Sequence, residues 1–186
     1  DIKKKLNIKK YLKKIDFFKS KKIIQRKKNF GTKKNVVMAI NQVFKKSDRA
    51  IIIEDDLIVS QSFLHYMNFC LKNFKHNKQI WHINGWSYPF MKFSDNDINY
   101  MTSMNCWGWG TWRDRWSKLN MNENKFISSF SKKDIHRFNI YSSTEHWSQI
   151  IRNKNKTLSS WAIYWHASIF SQNGICVYPR FSLVKN

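Results

Sequence analysis

Two prolines and five glycines in 186 residues leave no room for a collagen-like repeat or a low-complexity chain. Three cysteines, Cys70, Cys106 and Cys176, are odd in number and widely spaced, and no Cys-x-x-Cys pair or histidine at zinc-ligand spacing accompanies them. They read as free thiols in a reducing cytosol. No uninterrupted apolar run of about 18 residues is present to span a membrane, and residues 1–20 lack the apolar segment of a secretory signal. There is no G-x-x-x-x-G-K-[ST], G-x-S-x-G or H-E-x-x-H, which disfavours a P-loop ATPase and two familiar hydrolase classes. Acids are scarce as well: 12 stand against 34 basic residues, for a net charge of +22.

That imbalance points to an anionic partner, with nucleic acid, an acidic membrane surface and a phosphorylated small molecule all qualifying. Much of the charge lies in the first 50 residues, in runs such as Lys3-Lys4-Lys5, Arg26-Lys27-Lys28 and Lys33-Lys34. A Lys-, Asn- and Ile-rich composition of the kind an AT-rich genome produces gives the same charge, so charge alone decides nothing about nucleic acid. The length suits one domain, and 42% apolar and 16% aromatic residues suffice for a sizeable core.

Periodicity suggests the layout. Ile2, Leu6, Ile8, Leu12 and Ile15 form a helical stripe, and Ile23-Ile24 centre a short strand candidate over Lys21–Gln25. Asn29-Phe30-Gly31-Thr32 reads as a turn with Thr32 as N-cap of a helix over residues 33–46. Ala50 to Ile53 reads as a buried strand, Ser60 as the cap of a helix through Phe74, and Ile80 to Asn84 as a further strand. Tyr100–Asn105 is another strand candidate, polar helices fill about 122–154, a helix runs from Ser160 to Gln172, and Ile175–Tyr178 is a last strand. This alternation predicts an α/β domain with a largely parallel sheet, in which ligands bind beyond the carboxyl ends of strands. Glu54-Asp55-Asp56 and Asn84-Gly85 fall at such ends.

Three adjacent acids after an apolar strand, in a chain this poor in acid, are the sharpest chemical signal. Mg²⁺ and Mn²⁺ prefer oxygen ligands and are often held by one or two carboxylates plus substrate phosphates. Extended-chain alternation sets Glu54 and Asp56 on one side and Asp55 on the other. The turn at Asn29 and Gly31, leading with Lys34 into a helix N-terminus, suits an anion. The run from Cys106 to Trp116, Cys-Trp-Gly-Trp-Gly-Thr-Trp-Arg-Asp-Arg-Trp, offers indole faces for a sugar ring or base, although most of these tryptophans are expected to pack. Asp114 reads first as a salt-bridged helix acid, and His82, His146 and His166 as structural.

Together these segments resemble the GT-A nucleotide-sugar glycosyltransferases, closest to the N-acetylglucosaminyltransferase I-like group and related bacterial surface-polysaccharide transferases. The resemblance rests on Ile-Ile-Glu-Asp-Asp-Leu-Ile-Val-Ser with Phe63, on Arg26 to Gly31, on the Trp107 to Trp116 run, and on Ser160 to Trp165 with Asn173-Gly174 and Tyr178-Pro179. It spans about residues 20–186. It implies a single GT-A domain over 1–186, a mostly parallel, Rossmann-like sheet flanked by helices, and an absent first strand, so that the chain reads as N-terminally incomplete. It implies transfer of a hexosyl or N-acetylhexosaminyl group from a nucleotide diphosphate sugar to a cell-surface glycan, such as lipopolysaccharide, or to a lipid-linked acceptor.

By the same resemblance Asp56 is the metal ligand for Mn²⁺ or Mg²⁺. Glu54, Asp55, Asn29, Gly31 and Lys34 contact the donor, and Trp107, Gly108, Trp109 and Trp161 line the acceptor side. Related enzymes often carry an acid where this chain has Ala162, so the general base is unassigned, with Glu145 and Asp114 as substitutes by residue type. The expected location is cytoplasmic, peripheral on an anionic inner membrane face, with no specific nucleic-acid partner. The rival readings are an inactive GT-A-like module that binds sugar or a partner, and a basic nucleic-acid-binding protein.

Overall fold

The computed structural model describes residue 8, residues 10–89 and residues 98–186. The chain divides into two compact units, Asp1–Phe30 and Gly31–Asn186. In the first, residues 10–14 are helical, while positions Ile2 and Leu6 of the expected stripe lie outside the described residues. Lys21 Nζ donates to the carbonyls of Leu12 (2.8 Å), Lys13 (3.0 Å) and Ile15, so a cation meets the open carbonyls at that helix's end. The strand expected at Lys21–Gln25 does not form. Ile23 and Ile24 are exposed in irregular chain, where no ladder partner rewards extended backbone.

The second unit contains α1 (Gly31–Phe44), β1 (Arg49–Ile52), β2 (Ile58–Val59), α2 (Phe63–Asn73), β3 (Ile80–Asn84), β4 (Ile98–Met101), β5 (Trp109–Trp112), α3 (Arg113–Trp116), α4 (Glu123–Ser129), α5 (Lys132–Phe138), α6 (His146–Lys154), α7 (Ala162–Ser171), β6 (Ile175–Pro179) and β7 (Val184–Lys185). Five strands form one sheet in the order β1-β5-β3-β6-β4, and β2 pairs with β7. The sheet is mixed, not largely parallel. Strands β3 and β6 pair in parallel, whereas β5 is antiparallel to both β1 and β3, and β4 is antiparallel to β6. The cause is the Trp-Gly-Thr-Trp run. It enters as a strand between β1 and β3, with Ile52 opposite Trp109 and Arg49 opposite Trp112.

Side chains alternate along these strands, apart from an irregularity in β3 between Ile80 and His82, and supply two core layers. Ile83, Trp112 and Val177 face α2, meeting Phe63, Met67, Cys70 and Leu71. Trp81, Trp109, Cys176 and Tyr178 face α1 and α7, meeting Ile40, Phe44, Trp161, Trp165 and Ile169. A third cluster of Phe126, Phe138, Ile150, Ile163, Tyr164 and Ala167 joins α4, α5 and α6 to α7. Packed from two sides, α7 is buried continuously from Ile163 to Ile169. The polar stretch 122–154 resolves into three helices because it carries its own caps. Asn122 accepts from the amides of Asn124 and Lys125, and Ser131 forms a capping box with Asp134.

Inside the indole layer, Trp165 Nε1 donates to His82 Nδ1 at 3.1 Å, which puts the His82 proton on Nε2. That proton points to Asn84 Oδ1 at 3.0 Å and to the Asn105 carbonyl at 2.9 Å. Burial holds the His82 pKa down at about 3, and burial likewise lowers those of His166 and His146, whose rings meet edge to face at 4.6 Å. Folded, His82 and His166 stay neutral; unfolded, they titrate near about 6.5. The unfolded chain therefore takes up protons that the folded chain refuses, and stability is lost as pH falls below that value, by up to about 1.4 kcal/mol per pH unit for each histidine. We expect the melting temperature to drop steadily between about pH 7 and about pH 5, above the range where ordinary carboxylates titrate. A flat profile there would contradict this account.

Candidate functional site

The strand directions set what gathers at one edge. The carboxyl ends of β1, β3 and β6 lie together, and the antiparallel β5 begins at the same edge. This edge therefore collects the acids after β1, Gly85 and Trp86 after β3, and Cys106 to Gly108 before β5. The edge is pinned by backbone. Gly85 N donates to Gly108 O at 2.7 Å, and Leu183 N donates to Gly85 O at 2.8 Å. A Cβ on Gly85 would lie 2.6 Å from Gly108 O and 2.5 Å from Phe63 Cε2, and one on Gly108 would lie 2.8 Å from Val184 Cγ1. Gly108 also has φ of +62°, which glycine adopts without strain.

Glu54, Asp55 and Asp56 form the turn between β1 and β2. Glu54 is half-buried, and its pKa is raised by burial, then by the charges of Asp56 and Asp55. Asn186 Nδ2 donates to Asp56 Oδ2 at 3.1 Å. The Cys106 thiol is pushed up to about 11 by burial and then by Glu54, with Asp56 adding to it, so the chain before β5 sits in the field of these acids. Next to it Trp107 is half-buried and meets Trp86 edge to face at 5.6 Å, with Tyr88 4.6 Å from Trp86.

No three His, Cys, Asp or Glu side chains among the described residues converge as a self-sufficient metal cage. The oxygen donors at 54–56 suit instead a hard cation that takes its remaining ligands from phosphate. The crowding felt by Glu54 is the kind of like-charge contact that such a cation relieves.

The other expected site residues are distributed differently. Gly31 opens α1 with φ of +73°, and Lys34 is exposed in its first turn, while Asn29 belongs to the first unit. Gly108 is at the edge with Trp107. Trp109 and Trp161 do not face a cleft. They stack on each other at 5.5 Å inside the core, where their area is worth more than at the surface. Asp114 lies beyond β5, at the opposite end of the sheet from Glu54, held by Lys78 (2.6 Å) and by the buried Arg115 (2.8 Å). Glu145 is exposed at the N-cap of α6.

Some members of this end of the fold carried no sequence signal. Lys33 is tied into the structure: its Nζ donates to Tyr164 Oη at 2.8 Å, and the Tyr164 hydroxyl donates to Glu123 Oε1. Trp86 and Asn186 likewise belong to no recognised motif.

Residues 37–107 match the family model of glycosyltransferase family 25, a lipopolysaccharide-biosynthesis protein family. The match begins in α1 and ends at Trp107, so it takes in the acidic turn and the Gly85 edge. It supports a glycosyltransferase, and the α/β architecture with its mixed sheet is consistent with one. No curated protein matches the chain.

Substitution separates the two glycine roles. Gly85→Ala is expected to cost about 1–3 kcal/mol by overpacking. Gly31→Ala, with open space around it, is expected to cost about 1–2 kcal/mol from its left-handed backbone alone. Urea denaturation measures both, and relief of the Gly85→Ala defect by Phe63→Leu would assign it to the Phe63 contact.

Proposed function

We propose that the chain is a GT-A-type transferase that moves a hexosyl or N-acetylhexosaminyl group from a nucleotide diphosphate sugar to a glycan or lipid-linked acceptor in lipopolysaccharide-type synthesis. One observation carries this reading. In a chain with 34 basic residues, the three acids of the 54–56 turn have no ion pair among the described residues, whereas Asp48, Asp114 and Asp134 each have a cation within 4 Å. The densest acidic cluster thus keeps its charge for a ligand, at the sheet edge where α/β folds bind them.

In this reading Asp56, on the exposed turn, supplies the carboxylate that holds Mn²⁺ or Mg²⁺. Such an ion offsets the charge that develops on a diphosphate leaving group. Glu54 and Asp55 accept hydrogen bonds from donor hydroxyls. The first turn of α1, with Gly31 and Lys34, presents amide N–H groups and positive charge to phosphate. Trp107 beside Gly108 offers an apolar face to the acceptor.

Asp56→Asn is expected to lower transfer and nucleotide-sugar hydrolysis by roughly 10²–10³-fold. It should change stability by no more than about 0.5 kcal/mol, since the residue is exposed. The assay is product formation from a panel of nucleotide sugars with and without Mn²⁺. A wild-type chain that binds neither nucleoside diphosphate nor Mn²⁺, together with an inert Asp56→Asn, would remove the proposal. Among the described residues no helix is long and apolar enough to cross a membrane. The net charge of +22 supports peripheral binding to an anionic cytoplasmic face, at about 1 kcal/mol per basic residue near the surface. Flotation with acidic but not neutral liposomes is the expected result.

A further inference from the structure

Exposed apolar surface is concentrated in the first unit. Of the fifteen large apolar side chains exposed among the described residues, six lie between residues 8 and 24: Ile8, Tyr11, Phe17, Phe18, Ile23 and Ile24. Phe17 is 78% exposed and Phe18 57%, and their rings pack on each other at 4.4 Å rather than into a core. Ile8 and Tyr11, three apart in helical chain, lie on one helix face. Apolar residues scattered singly over a surface need no explanation, but a cluster in so short a stretch does.

The same stretch is strongly basic. Residues 8–24 hold seven lysines against one acid, Asp16. Lys10, Lys13, Lys14, Lys19 and Lys22 are exposed and make no ion pair among the described residues. Lys21 has a different task. Its Nζ donates to the carbonyls of Leu12, Lys13 and Ile15, which ties the chain after residue 20 back to the helix end. Residues 16–20 are thereby closed into a short loop that carries the phenylalanine pair, with exposed lysines on both sides of it.

We propose that residues 8–24 dock on an anionic lipid bilayer, with Phe17 and Phe18 entering the boundary between headgroups and acyl chains and the flanking lysines meeting lipid phosphates. This deepens the peripheral attachment argued above from net charge: it assigns attachment to one element and adds an apolar component to it. It does not depend on glycosyl transfer. The side chains favour lipid over nucleic acid. A nucleic acid uses lysines and stacks its bases on aromatic rings, but it gives no use to the exposed aliphatic Ile8, Ile23 and Ile24. Acyl chains take aromatic and aliphatic side chains alike beneath a layer of phosphates. The lysine contribution is screened by salt, whereas the burial of apolar side chains is not.

Flotation of the whole chain with vesicles of phosphatidylcholine, and of phosphatidylcholine mixed with phosphatidylglycerol, tests the assignment. Wild type is expected to float with the mixed vesicles only. In about 0.5 M salt, where screening acts over a few Å, it should keep a measurable part of that binding. Phe17→Ser with Phe18→Ser is expected to weaken partitioning roughly ten-fold or more and to abolish the salt-resistant part; Phe17→Trp with Phe18→Trp should retain it. Lys13→Gln with Lys14→Gln is expected to weaken low-salt binding by about 20-fold, from roughly five-fold per lysine. Because both phenylalanines are exposed, the double serine variant should melt with wild type, which a pair serving only the fold would not allow. Equal flotation of wild type and the double serine variant would overturn the element and leave the charge-based attachment standing. Absence of wild-type flotation would remove both. A wild type that binds a single-stranded oligonucleotide through Phe17 and Phe18 but no vesicle would assign the stretch to nucleic acid and overturn the proposal.

Discussion

The 2.7 Å bond from Gly85 N to Gly108 O is the contact on which the candidate site depends. It joins the end of β3 to the start of β5 at a separation no side chain tolerates, since a Cβ on either residue would strike backbone or core within 3 Å. The Leu183 amide closes the other side of Gly85, and Ser60 N bonds the Leu183 carbonyl at 2.8 Å. Four chain segments are thereby fastened at one point: the ends of β2 and β3 and the beginnings of β5 and β7. The acidic turn lies between β1 and β2, and Trp86 and Trp107, the residues next to the pinned pair, meet each other edge to face. Placement of acids and aromatics together follows from this closure rather than from any direct bond between them.

Behind that edge lies a layer of indoles whose N–H groups had to be accommodated. Trp165 is satisfied by His82, Trp116 by Asn41 Oδ1 at 2.7 Å, and Trp81 by the Lys78 carbonyl at 3.1 Å, while Trp109 Nε1 has no partner among the described residues. His82 passes the demand onward, because its Nε2 proton needs Asn84, and Asn84 in turn bonds Val177 O and the Asn105 amide. The result is a polar thread through an apolar layer that ends at the last residue of β3. Buried networks of this kind rigidify when fully bonded. Here the rigid end is the residue before Gly85, so core packing and site geometry are coupled through one asparagine.

Much of this was legible in the residues. Ile80 to Asn84 emerges as a strand because five apolar or packable residues end at a glycine, and the helices over α1 and α7 follow from apolar spacing. The acidic turn at a strand end was legible from composition, since acids so rare are seldom adjacent by chance. What escaped was pairing. Nothing local to Trp-Gly-Thr-Trp distinguishes a glycine-rich cleft segment from a central strand; its neighbours, Arg49 to Ile52 and Ile83-Asn84, are 25 residues or more away. Once it is a strand, Trp109 must be core, and the sheet must be mixed. The short β2 and β7 are likewise set by a partner 125 residues distant, and Ser62 rather than Ser60 precedes α2 because Ser60 is drawn into that pairing.

The charges show a matching division along the sheet. At the end where β1 and β3 begin, Asp48 and Asp114 lie in a depression of about 420 Å³ with Lys75, Lys78, Arg113 and Arg115, and each acid there is paired with a cation. Arg115 is further bound by the carbonyls of Ile80, Lys75 and Asn77, which makes it a structural clamp. Glu123, near the first turn of α1, is tied to Tyr164 and through it to Lys33. Paired acids of this kind cannot serve a ligand without first giving up their partners. Among the described residues, the carboxyl edge combines aromatic surface left partly open with several acids that make no ion pair. In a chain so rich in lysine, three adjacent acids stand on a turn between β1 and β2 and make no ion pair among the described residues. That arrangement leaves the carboxylates of the turn without an ion pair, unlike Asp48, Asp114 and Asp134, whose charge is already taken up by cations.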